Sequence, residues 1–146
     1  MTKLADVLNS PEKKRDVVRD CLGLLDAEVA DKGGISGLAI KAGYATVKGV
    51  KPGFVERVVD GLLPEFADAC DPVYSEAVDQ GKPIAGYFVA QSSRVADSLL
   101  AITDAKAERS DKAVVRKTYE KLRGQAKKNV EQAIPRLGRL IEKYAG

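Results

Sequence analysis

Between residues 54 and 66 the chain places Phe54, Val55, Val58, Val59, Leu62, Leu63 and Phe66 at steps of one, three and four residues. That spacing gathers the apolar side chains on one side of a 3.6-residue helix and would scatter them over both faces of a strand. The same steps recur in Val17, Val18, Cys21, Leu22, Leu25 and Val29, in Ile84, Phe88, Val95, Leu99 and Ile102, and in Val114, Val115, Thr118, Tyr119 and Leu122. They return in Ala126, Val130, Ala133, Ile134, Leu137, Ile141 and Tyr144. No run of four to eight residues alternates as a half-buried strand does, and none is bounded like a hairpin. The expected fold is all-α, a single irregular bundle of about six to eight amphipathic helices. A chain of 146 residues suits one domain over 1–146, because a chain of this size can bury a core without disulfide or metal staples.

Proline and glycine punctuate these stretches. Ser10-Pro11-Glu12 reads as a helix start, and Lys32-Gly33-Gly34 reads as its stop. A short turn or helix over Lys3–Leu8 is expected ahead of it. Pro64 is expected to kink or break the helix it sits in, since proline lacks the amide donor and collides with the preceding turn. Asp71-Pro72 then predicts a new short helix ended by Gln80-Gly81. Pro83 opens the next helix, whose apolar face Ser92 and Ser93 interrupt, and Ser110 is a cap for residues 111–123. Gly124 is expected to separate that helix from a last one, which Pro135 must bend or split.

Composition narrows the chemistry. The chain has no histidine, which removes Ser–His–Asp and Cys–His sites and histidine-containing zinc sites. Cys21 and Cys70 are too few for a four-cysteine metal site and read as two buried thiols in a reducing compartment; their spacing does not say whether they meet. No metal and no cofactor is expected. No apolar run reaches transmembrane length, and the N-terminus lacks a signal-peptide core, so a cytoplasmic location is expected.

Several groupings are candidates for binding. Lys41, Tyr44 and Lys48 share one helix face, followed by Lys51, and two ammonium groups with a phenol suit a phosphate or carboxylate; the alternative is a solvated edge. The segment from Ile35 to Val50 is rich in small residues, among them Gly37, Ala39, Ala42, Gly43 and Gly49. Such residues permit close helix approach within the chain or between subunits. Residues 104–146 hold 12 Lys/Arg against 6 Asp/Glu. Arg116, Lys117, Lys127, Lys128, Arg136 and Arg139 there form a basic surface that suits phosphates or an acidic protein. Interleaved glutamates and the absence of any nucleic-acid motif favour an ordinary solvated face. Asp68, Asp71, Glu76, Asp79, Asp97 and Asp104 read as helix-start acids rather than catalytic pairs. Tyr74, Tyr87 and Phe88, with Gln91, Ser92 and Ser93, line either a small pocket or the core.

The stretch Lys32-Gly33-Gly34-Ile35-Ser36-Gly37-Leu38-Ala39-Ile40-Lys41-Ala42-Gly43-Tyr44, with Lys51-Pro52-Gly53-Phe54-Val55, resembles small bacterial proteins grouped as a domain of unknown function. The resemblance implies a bacterial origin and a stand-alone domain, and it names no reaction and no catalytic residues. The expected function is therefore a non-enzymatic helical binding or interaction module, self-associating or protein-binding through Gly37–Gly49. The alternative is a carrier of an amphipathic or anionic small ligand held by Lys41, Tyr44 and Lys48. Nucleic-acid binding by the last helices comes third.

Overall fold

The computed structural model describes residues 3–146. The chain is an all-α bundle of seven helices, with no strand among the described residues. They are α1 (Leu4–Leu8), α2 (Lys14–Asp31), α3 (Gly34–Lys48), α4 (Phe54–Asp79), α5 (Ile84–Ala90), α6 (Ser92–Glu108) and α7 (Ala113–Ala145). Two long helices organise the rest. Each of α4 and α7 packs against α1, α2, α3, α5 and α6, so the shorter helices are wedged between two spines.

The main core lies where α1 and the last turns of α7 meet α4. Leu4, Val17, Phe88, Val95, Ile134 and Ile141 are its largest fully buried side chains, each contributing about 1.5–3 kcal/mol on burial. Helix α1 has only five residues, too few to persist alone. Leu4 and Leu8 anchor it in the core, and Asp71 on α4 accepts the Leu4 amide N–H at 2.8 Å. The Tyr74 hydroxyl donates to the Ala145 carbonyl at 3.1 Å, tying α4 to the last turn of α7.

Four expected breaks are not breaks. Helix α4 runs unbroken through Pro64 and Pro72, and α7 runs through Gly124 and Pro135. Pro64 and Pro72 are exposed, so water reaches the carbonyls that lose their helical donors. The buried stripe of Leu62, Leu63, Ala67, Cys70, Val73, Tyr74 and Ala77 outweighs a penalty of about 3 kcal/mol per proline. Asp71 consequently sits in mid-helix and caps α1 rather than its own helix. One break falls where the sequence only weakens a face: Gln91 divides α5 from α6. The expected stop at Gly81 is real. With φ of +65°, it closes a Schellman motif in which Lys82 N–H bonds to Ala77 O at 2.9 Å and Gly81 N–H to Val78 O at 3.1 Å. Helix α2 starts at Lys14, slightly later than expected, after a turn over residues 11–13.

Helices α5 and α7 touch backbone to backbone. A Cβ on Gly138 would lie 3.0 Å from Ala85 Cα and 3.2 Å from Ala85 O. Gly124, in the same helix, has nothing within 4 Å of that position. Gly138→Ala is expected to destabilise the fold by about 1–3 kcal/mol through overpacking. Gly124→Ala is expected to stabilise it by about 0.5–1 kcal/mol through helix propensity. Urea unfolding of the two variants reads the opposite signs.

Candidate functional site

The half of the bundle roofed by α3 is built differently from the main core. Most of α3 is small, and its inner face presents Gly37, Ile40, Gly43, Tyr44 and Val47. Gly43 brings α3 close to α7, since a Cβ there would lie 2.8 Å from Leu122 Cδ1 and 3.2 Å from Thr118 Cγ2. Gly37 packs on the α2–α3 turn, its Cβ position 2.7 Å from the Lys32 carbonyl carbon. With Gly37 and Gly43 holding α3 against its neighbours, Ile40, Tyr44 and Val47 edge the space below it without closing it.

That space is a solvent-open cavity of about 390 Å³, within the range of small-molecule sites. Leu25 and Val29 of α2 form one wall, Phe54, Val55, Val58 and Leu62 of α4 another, and Val115 and Leu122 of α7 a third. These are apolar-stripe residues that periodicity assigns to a core, yet all but Leu62 remain partly exposed. Leu62 is buried but stands outside the main cluster.

Few polar groups reach the cavity. Thr103, Lys106 and Ser110 project from the α6 side and Tyr44 and Tyr119 from opposite walls. Tyr119 and Thr103 share a hydroxyl contact of 2.7 Å, and Tyr119 also donates to Asp104. Arg123 grips Asp104 with two bonds of 2.7 and 3.1 Å; together Arg123 and Tyr119 hold that carboxyl below its ordinary range. Tyr44 donates to Asp26 at 2.8 Å, and burial together with that carboxylate pushes its phenol up to about 12.

Asp26 changes the meaning of the expected anion site. Lys48 lies 3.8 Å from Asp26 and 5.0 Å from the Tyr44 ring centroid. The carboxylate therefore already occupies the phenol and one ammonium. Lys41 and Lys51 are exposed and add no enclosed charge. Asp26 lies on α2, 18 positions before Tyr44, and no local spacing connects the two.

The small residues of α3 divide between its faces. Gly37 and Gly43 pack within the chain and are not available to a second subunit, and Gly49 ends the helix as its C-cap. Ala42 is exposed and Ala39 half-buried. Ile35 and Leu38 on the outward side are 89% and 68% exposed.

Much of the basic surface is spoken for. Arg136 bonds both Glu28 and Asp31, Lys127 pairs with Asp97 at 3.1 Å, and Arg116 donates to the Ser110 carbonyl. Lys117, Lys128 and Arg139 stay exposed. Glu28, at 8% exposure the one charged residue among the buried set, also takes Lys32 at 3.1 Å. Glu76 accepts two Arg94 bonds of 2.9 and 2.7 Å and the Tyr87 hydroxyl at 2.7 Å, and Asp68 and Asp79 are exposed. Phe88 is wholly buried and Tyr74 nearly so, so the aromatic grouping belongs to the core. Ser92 and Gln91 are half-buried and Ser93 is exposed. Burial pushes the Cys21 thiol up to about 11 and Cys70 up to about 12, and both pack in the main cluster. Among the described residues no group of three His, Cys, Asp or Glu is placed to hold a metal, and no helix is long and apolar enough to cross a membrane.

The model of a family of unknown function (DUF6918) matches residues 4–145. No curated protein and no solved structure matches the chain.

Two ion pairs yield measurable expectations. Arg94, with Tyr87, draws the Glu76 carboxyl from 4.5 down to about 2. A carboxylate whose folded pKa is depressed adds stability above its unfolded pKa and loses it as pH falls through the folded one. Stability is therefore expected to drop between pH 4.5 and about 2, and Glu76→Gln should flatten that slope in acid titrations followed by circular dichroism. Glu28→Ala, which leaves Lys32 and Arg136 without their shared acceptor, is expected to cost about 1–3 kcal/mol in urea unfolding.

Proposed function

The chain belongs to a family whose function is unknown, and from its own geometry we propose that it is a non-enzymatic binding module that carries a small apolar or amphipathic molecule. The single observation behind this reading is the cavity of about 390 Å³ walled by α2, α3, α4, α6 and α7. Here leucine, valine and phenylalanine side chains face a space that their neighbours leave open, and an apolar ligand entering it would remove their surface from water. A binding role also suits the chemistry: the hydroxyls and lysine at the cavity have no imidazole or thiolate beside them to act as base or nucleophile.

The test is native mass spectrometry of gently purified protein, paired with Val58→Phe, which fills the cavity. A retained small molecule on the wild type, absent from the variant, is the expected result. Equal mass for the wild type and its denatured chain, with no apolar probe bound by either protein, would sink the proposal. The variant's own unfolding free energy should stay within about 1.5 kcal/mol of the wild type.

A second reading, self-association, is favoured by the exposed Ile35 and Leu38 on the outer side of α3. They sit next to exposed Ala42 and Ala45, small residues over which another helix can approach closely. Leu38→Glu should then convert a dimer to a 15.6 kDa monomer in light scattering. A wild type that is already monomeric at high concentration ends this reading.

A further inference from the structure

We infer that the cavity is built for a single-chain amphiphile with an anionic head, and that Lys106 is the counter-ion for that head. This rests on the carrier reading and adds the class of ligand. The clue is the charge inventory of the walls. Lys106 is the one charged residue that lines the cavity, and no carboxylate lines it. Three other clefts each mix acidic and basic side chains, so their charges have partners of opposite sign nearby. Among the described residues Lys106 has no carboxylate within ion-pair distance, whereas Lys48, Lys127 and Lys143 each have one.

The position of Lys106 suits a head group rather than a buried charge. Thr103, Lys106, Ala107 and Ser110 follow one another at three- and four-residue steps along the same side of α6 and its end. Lys106 is exposed while Thr103 and Ala107 are half-buried, which puts the cation at the wet rim with its aliphatic stem against the apolar wall. A head held there keeps its charge near solvent, while a chain runs inward among Val58, Leu62 and Leu122. Ser110 adds a hydroxyl at the same wall; its oxygen takes the Lys112 N–H at 3.3 Å, leaving its proton to donate. A neutral head gains a hydrogen bond from the Lys106 ammonium but no ion pair, and a cationic head is repelled by it. Of the residues that the sequence offered, Tyr44 and Lys48 are answered by Asp26, and Lys41 and Lys51 do not line the cavity.

The experiment compares decanoate with decan-1-ol, both below their aggregation limits, titrated into the wild type, Lys106→Met and Lys48→Met and followed by protein NMR shifts. Lys106→Met keeps the stem and removes the charge. The wild type is expected to bind decanoate about tenfold more tightly than the alcohol, a difference of about 1.4 kcal/mol. Lys106→Met should bring the two to about the same affinity, and Lys48→Met should keep the preference. Unchanged alcohol binding in both variants certifies that each still folds around the cavity. Equal binding of acid and alcohol by the wild type, or a preference that survives in Lys106→Met, overturns the head-group assignment and leaves the carrier reading standing. Failure of both probes to bind the wild type overturns both.

Discussion

Helices α4 and α7 share the same five neighbours, so the shape of the interior depends on both spines staying continuous. Helix α7 has 33 residues, about 50 Å at 1.5 Å per residue, long enough to pass the main core at one end and the roof helix α3 at the other. Were it cut at Gly124, as its sequence suggests, the segments on α3 and on α5 would be free to pack separately. Continuity links the two ends: Gly138 sets the α5 contact, and Thr118 and Leu122 set the α3 contact. The first end is filled by Phe88, Ile134 and Ile141. The second is roofed by a helix whose small residues come close without filling the volume beneath.

Charge follows the same plan. The excess of cations in the last third of the chain reads in isolation as an outward basic surface. In the fold, Lys127 and Arg123 reach acids of α6, and Arg136 and Lys143 reach acids of α2. The asymmetry along the sequence thus becomes complementarity between packed helices. Half-exposed pairs of this kind contribute little each, but they orient α7 along both neighbours. What sets Lys106 apart from the other lysines is its place on the wall of the apolar cavity.

Helix content, the Gly81 stop and most of the main core were legible in the residues, because apolar periodicity and turn chemistry are local; Ser110, expected as a helix cap, lies two residues before the Lys112 N-cap and accepts the Lys112 N–H instead. The continuity of α4 and α7 was not. Whether a proline interrupts a helix depends on whether its orphaned carbonyl meets water and on how much apolar surface the intact helix buries, and both belong to the packed molecule. The candidate site was half legible. Tyr44 does face the cavity and Gly43 does mark a close helix approach, but their partners, Asp26 and Leu122, lie on other helices. Lys106 carries no signal in the sequence: it is one lysine among the charged residues between Ile102 and Val114, and only its neighbours in space distinguish it.

By itself the sequence determined that this chain is an all-α bundle, with amphipathic faces at fixed intervals and no histidine for the commonest catalytic sites. Those properties follow from side-chain identity and spacing along one backbone. Tertiary structure decided which faces meet, which cations find an acid, and where the interior stays open. The physical reason is that packing density and charge pairing are properties of side chains far apart in sequence. Leu25, Val58 and Leu122 have the periodicity of core residues, and they line a cavity together with Ile40, Tyr44 and Val47 of α3 because the packing of helices from distant parts of the chain leaves that space open.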